Sequence, residues 1–73
     1  MKIQYCMFES RGYDPDGGEY RTFGIRAMQG RECHAEIADI SLDSAVVSHL
    51  AQLCNQLELD PVHLYDVAQD AIV

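Results

Sequence analysis

The chain has no tryptophan, and beyond Arg31 it has no lysine or arginine. Its five basic residues, Lys2, Arg11, Arg21, Arg26 and Arg31, all fall in positions 1–31, which carry a net +1. Positions 32–73 hold eight acids and sum to −8, so the whole chain stands at −7. An anionic half of this strength is repelled by phosphate backbones and by anionic lipid headgroups. Neither nucleic acid nor a membrane is therefore an expected partner. Cysteine is scarce too: Cys6, Cys33 and Cys54 are odd in number, widely spaced, and form no Cys-x-x-Cys pair. This is thiol usage suited to a reducing compartment rather than a disulfide framework. No apolar run approaches the roughly 20 residues of a membrane-spanning helix. Gln4 and Glu9 interrupt the N-terminal apolar stretch before it could serve as a signal peptide. A cytoplasmic protein is expected.

Chemistry-bearing motifs are also missing. There is no Gly-rich phosphate loop, no G-x-S-x-G elbow and no pair of metal ligands at zinc-site spacing. Asp14-Pro15-Asp16-Gly17 opens like a calcium loop, but Gly18, Glu19 and Ile25 then stand where that loop needs a ligand, a glycine and a glutamate. A turn is the better reading. The chain is not expected to be an enzyme or to hold a cofactor.

What is present reads as one α+β domain over 1–73. A three-stranded antiparallel β-meander (1–38) precedes an α-helical hairpin (41–73) packed on one sheet face. The first strand is expected over 2–10, with Ile3, Tyr5 and Met7 on one face and Cys6 and Phe8 on the other. Asp14-Pro15-Asp16-Gly17-Gly18 predicts a three-residue hairpin loop with Gly17 left-handed. The second strand is expected over 20–27, pairing Met7 with Ile25, Tyr5 with Ala27 and Phe8 with Gly24. The ladder should fail near the tip, where Arg11 would oppose Arg21. A second three-residue loop at Met28-Gln29-Gly30 then sets Ile25 against Cys33, Phe23 against Ala35 and Arg26 against Glu32. The third strand follows over 31–38. The expected inner face is Ile3, Tyr5, Met7, Phe23, Ile25, Ala27, Cys33, Ala35 and Ile37.

The first helix is expected to begin at Ser41 as N-cap, with Ile40 stapled toward Ala45, and to end near Asn55. Its core stripe reads Val46, Leu50, Leu53, Cys54 and Leu57. The second begins with Asp60 as N-cap and Pro61 at the first helical position, with a staple from Leu59 to Leu64. Its stripe reads Leu64, Val67, Ala68, Ala71 and Ile72.

Two site hypotheses follow. Helices on one face leave the other open, and Cys6, Phe8 and Tyr20 point that way. This face, or a bare strand edge, is expected to form a homodimer that also supplies stability a 73-residue core lacks. Phe8 should in addition shield the bare backbone of Gly24. The alternative is a metal or small-molecule site at His63, Asp66 and Asp70, whose spacing places them near one helix face. No second histidine accompanies them there, so a helix-entry role for His63 is favoured.

The segments Asp39-Ile40-Ser41-Leu42-Asp43, Leu53-Cys54-Asn55-Gln56-Leu57-Glu58-Leu59 and Asp60-Pro61-Val62-His63-Leu64-Tyr65-Asp66-Val67 also carry a family likeness. With Tyr20-Arg21-Thr22-Phe23-Gly24-Ile25 in the second strand, the chain resembles a family of short Firmicutes-type bacterial proteins known only as a domain of unknown function. The resemblance covers essentially the whole chain. Leu42 departs from it, standing where members often have threonine. It implies a bacterial cytosolic protein and brings no activity with it. The reading overall is a non-enzymatic protein-interaction or regulatory module with a protein partner.

Overall fold

The computed structural model describes residues 2–72, with side chains through residue 70. Three antiparallel strands, β1 (Gln4–Asp14), β2 (Gly18–Gln29) and β3 (Glu32–Ser41), form a sheet in the order β1-β2-β3. Helix α1 (Ser44–Gln56) follows, then a short 3-10 turn (Pro61–His63) that runs into α2 (Leu64–Ile72). The fold is α+β, with both helices laid on one face of the sheet: α1 against β1 and β2, α2 against β3.

The first hairpin has the expected register, with Tyr5 opposite Ala27, Met7 opposite Ile25 and Phe8 opposite Gly24. Its loop spans the three residues between Asp14 and Gly18, and Gly18 rather than Gly17 takes the left-handed backbone, at φ 87°. The ladder does not fail at the tip. Arg11 does oppose Arg21, but each finds a diagonal acid: Arg21 Nε lies 2.6 Å from Glu9 Oε1, and Arg11 Nη1 lies 3.0 Å from Glu19 Oε1. Diagonal neighbours are within reach of long side chains, so the direct like-charge pair is neutralised from both sides.

The second hairpin departs from expectation. Gln29 pairs with Glu32 around a two-residue loop at Gly30-Arg31, with Gly30 left-handed at φ 62°. A bulge follows, because Met28 pairs with Cys33 while the adjacent Ala27 pairs with Ala35, leaving His34 as the extra residue. The bulge restores parity. Ala35 and Ile37 therefore return to the core side opposite Ala27 and Ile25, and Arg26 meets Glu36 rather than Glu32. Cys33 lies before the bulge, pairs with Met28, and is exposed instead of joining the inner face.

A wider irregularity ends β3. Ile37 pairs with Ile25, yet Ser41 pairs with Phe23, so three residues of β3 stand against Gly24 alone. Asp39 sits there at φ 58°, a conformation aspartate tolerates better than most residues. A Cβ on Gly24 would come within 2.2 Å of the Ile37 carbonyl oxygen and 2.8 Å of Ala38 Cα, so this crossing needs glycine. The returning segment covers Thr22, which is fully buried; its hydroxyl lies 2.8 Å from an Asp39 carboxylate oxygen and 3.1 Å from the Ser41 carbonyl.

Because β3 runs through Ser41, α1 starts later than expected. Asp43 is its N-cap, accepting from the Ala45 N–H, while Ser41 Oγ accepts from the Asp43 N–H. Ile40 is buried in the core and Ala45 is exposed, so the expected staple is absent. The helix continues past Asn55. It ends in a Schellman turn, with Glu58 left-handed at φ 50°, the Glu58 N–H on the Asn55 carbonyl and the Leu59 N–H on the Cys54 carbonyl. Asp60 caps the next turn by accepting from the Val62 N–H, and Pro61 opens it as expected.

The core is Tyr5, Ile25, Ala27, Ile40, Val47, Leu50, Ala51, Cys54, Leu64 and Ala68, with Ile3, Phe23, Ala35, Ile37, Leu59 and Val67 packed around it. Against expectation, Met7 is partly exposed at the sheet margin. The Ala71 and Ile72 side chains, expected in the second stripe, lie outside the described ones.

Candidate functional site

The two stripes available on α1 compete for the sheet. One is Val46-Leu50-Leu53-Leu57; the other is Val47-Leu50-Ala51-Cys54. The structure buries the second, which includes the smaller Ala51 and Cys54. Small side chains let the helix axis approach a sheet that itself presents alanines at 27 and 35. The rest of the first stripe is consequently left out while the shared Leu50 stays buried: Val46 is 44% exposed, Leu53 41% and Leu57 66%. At about 100° per residue, Val46, Leu50, Leu53 and Leu57 fall within about 60° of one another. They form one continuous apolar flank. Val46 and Asn55 lie about half a turn apart on the same geometry, so this flank faces away from the β1 edge that Asn55 touches.

That Asn55 contact is specific. Its side-chain oxygen accepts from the Tyr5 N–H at 2.7 Å, and its side-chain nitrogen donates to the Tyr5 carbonyl at 2.9 Å. The amide thus stands in for a fourth strand at one position. Tyr5 is anchored again through its hydroxyl, which donates to the Leu59 carbonyl just past α1. Burial, with help from Cys54 and Asp60, pushes the Tyr5 hydroxyl pKa up, and burial likewise raises the Cys54 thiol. These shifts are those of packed neutral groups, not of an activated nucleophile.

On the outer sheet face, Phe8 is half-buried, whereas Cys6 and Tyr20 are exposed. Phe8 approaches Gly24 as expected, its ring edge 3.0 Å from where a Cβ would stand. The Arg26 guanidinium covers the same ring at 4.3 Å from its centroid, and that arginine is held by Glu36 at 2.6 Å. Tyr20 lies over Gly12 in a second aromatic–glycine pair. Phe8 and Tyr20 therefore spend much of their surface on glycines within the chain.

His63 ends the 3-10 turn, and Asp66 and Asp70 follow on α2, all three exposed. Among the described residues no group of three or more His, Cys, Asp or Glu side chains is placed to hold a metal ion. The structure thus does not assemble these three into a ligand set, nor does it bring the cysteines and histidines together. An open groove of about 660 Å³ runs between the first hairpin tip and the end of β3, lined by Tyr13, Pro15, Tyr20, Ile40 and Leu42 among others. No described helix is long and apolar enough to cross a membrane.

The residues that sequence reasoning misplaced are Val46, Leu53 and Leu57. Their spacing predicts a core-facing stripe, whereas the structure leaves all three exposed. The Asn55 clamp had no sequence signal, because its partner lies 50 positions away.

These features define a small α+β domain with a helix-covered sheet, an uncovered helix flank and a long free strand edge. The chain belongs to the family of unknown function DUF6514, whose model matches residues 1–73. The likeness read from the sequence holds at that level. No curated protein and no solved structure matches the chain.

Proposed function

We propose that this is a non-enzymatic protein-interaction module, and that a partner protein docks on the apolar flank of α1. The observation that carries this reading is the exposure of Val46, Leu53 and Leu57 at positions i, i+7 and i+11 of one helix face. Exposed apolar side chains along one helix flank are a common mark of a contact surface, and this spacing suits a second helix laid alongside. Charge selects the partner. Asp43 stands at the start of α1 and Glu58, paired with Lys2 at 3.1 Å, at its end, within a half of the chain, positions 32–73, that has no lysine or arginine and sums to −8. A cationic amphipathic helix complements such a surface, whereas a second copy of this helix would meet like charge. The two exposed free thiols, Cys6 and Cys33, support a reducing compartment, the bacterial cytoplasm, as the place of action.

The test is to titrate the full chain with a synthetic amphipathic helix of leucine and lysine, using a leucine–glutamate helix of identical pattern as control. Binding by the basic helix alone is expected, weakening with salt. Leu53→Asp, at a half-exposed position, should leave the circular dichroism unchanged and weaken binding at least about tenfold, or about 1.4 kcal/mol. Equal affinity for the variant, or equal binding of both helices, overturns the reading.

A further inference from the structure

The free edge of β1 is self-complementary. Tyr5 turns its N–H and carbonyl away from β2, since both are bonded to Asn55. In an antiparallel ladder that direction alternates along the strand, and β1 runs against β2 without a register shift. The backbone groups of Met7, Glu9, Arg11 and Tyr13 therefore also face outward. Among the described residues no backbone partner meets them. This open stretch has defined limits. Asn55 occupies the edge at Tyr5, and Pro15 has no N–H to offer beyond the other end. Between them lie no proline, no lysine and no bulge, and the charges that would blunt the edge, Glu9 and Arg11, are of opposite sign and two residues apart.

We propose that this edge pairs antiparallel with the same edge of a second copy, about a two-fold axis at Ser10, joining the two three-stranded sheets into one. In that register Glu9 faces the partner's Arg11, and Arg11 faces the partner's Glu9. Met7 faces the partner's Tyr13. Sliding the strands by two residues in either direction sets Glu9 on Glu9 or Arg11 on Arg11, and sliding by one sets outward groups against inward ones. Opposite charges directly across a strand pair are favourable and like charges are not, so charge selects the register. Arg11 already holds Glu19 at 3.0 Å on the β2 side, and the partner's carboxylate arrives on its other, outward side. On the outer face Phe8 meets the partner's Gly12, extending the alternation of ring and glycine already present at Phe8–Gly24 and Gly12–Tyr20. The contact is isologous, so it closes on itself as a dimer. It leaves the apolar flank of α1 open, and neither proposal depends on the other.

Sedimentation equilibrium of the full chain tests this. Wild type should be a dimer that dissociates on dilution. Arg11→Glu and Glu9→Arg should each be monomeric, since each places like charges in both symmetric contacts. An equimolar mixture of the two variants should dimerise again, because every pair across the axis then joins an acid to a base. Hydrogen exchange on the wild type removes any dependence on variant folding: the Met7, Glu9, Arg11 and Tyr13 amides should slow as concentration rises. A wild type that stays monomeric, folded variants that dimerise unmixed, a folded mixture that stays monomeric, or outward amides indifferent to concentration would each overturn the proposal.

Discussion

Tyr5 gathers more structural roles than any other described residue. Its ring is in the core, its hydroxyl donates to the Leu59 carbonyl, and its backbone is clamped by Asn55. Its hydroxyl pKa is pushed above the ordinary 10.0 and that of the Cys54 thiol above 9.0, chiefly by burial. The folded chain thus holds both protons to higher pH than the unfolded chain does. Their contribution is intact below the ordinary values and is lost as pH rises through the raised ones. The thermal midpoint should stay level to about pH 8.5 and then fall. Tyr5→Phe should cost about 1 kcal/mol at neutral pH through the lost hydrogen bond, and should flatten the part of the fall above the tyrosine range. Identical slopes for variant and wild type would show that Tyr5 does not set the alkaline limit.

Elements are coupled here through single polar contacts. Helix α1 is fixed to β1 by the two hydrogen bonds of Asn55, which satisfy the strand edge at one position only. Asn55→Ala removes both, worth about 1–3 kcal/mol together, and recovers about 0.6 kcal/mol of helix propensity. A net loss of about 1–2 kcal/mol in urea unfolding, with faster exchange of the Tyr5 amide, is expected. A neutral effect would mean that the clamp orders the edge without stabilising it. The second hairpin shows how element boundaries escaped the sequence. The expected loop, Met28-Gln29-Gly30, and the observed one, Gly30-Arg31, are both short and contain Gly30, and the bulge at His34 reconciles the shorter one with Ala35 and Ile37 packed against the core. A bulge has no local signature in this stretch, since its benefit is realised in packing against the helices.

At the scale of the whole molecule, charge is the dominant unbalanced quantity. The described ion pairs Lys2–Glu58, Arg11–Glu19, Arg21–Glu9 and Arg26–Glu36 are exposed, so each contributes little. The net −7 is spread over a body 44 Å long, and its self-repulsion opposes the compact state. Raising salt from about 0.01 M to 0.15 M shortens the screening length from about 30 Å to about 8 Å. The urea midpoint should therefore rise over that range. A fall would mean that the surface pairs outweigh the repulsion.

Local grammar determined much of this protein. The Asp14–Gly18 turn, the Phe8–Gly24 crossing, the Asp60-Pro61 start and the meander-then-helices order depend on neighbours in sequence or on one hairpin's parity. Such features are legible because their physics is short-ranged. Tertiary structure alone decided which α1 stripe is buried, where β3 ends, and what Asn55 does. Each of these compares two locally acceptable arrangements, and the difference lies in how closely a helix can approach a sheet contributed by residues far away in the chain.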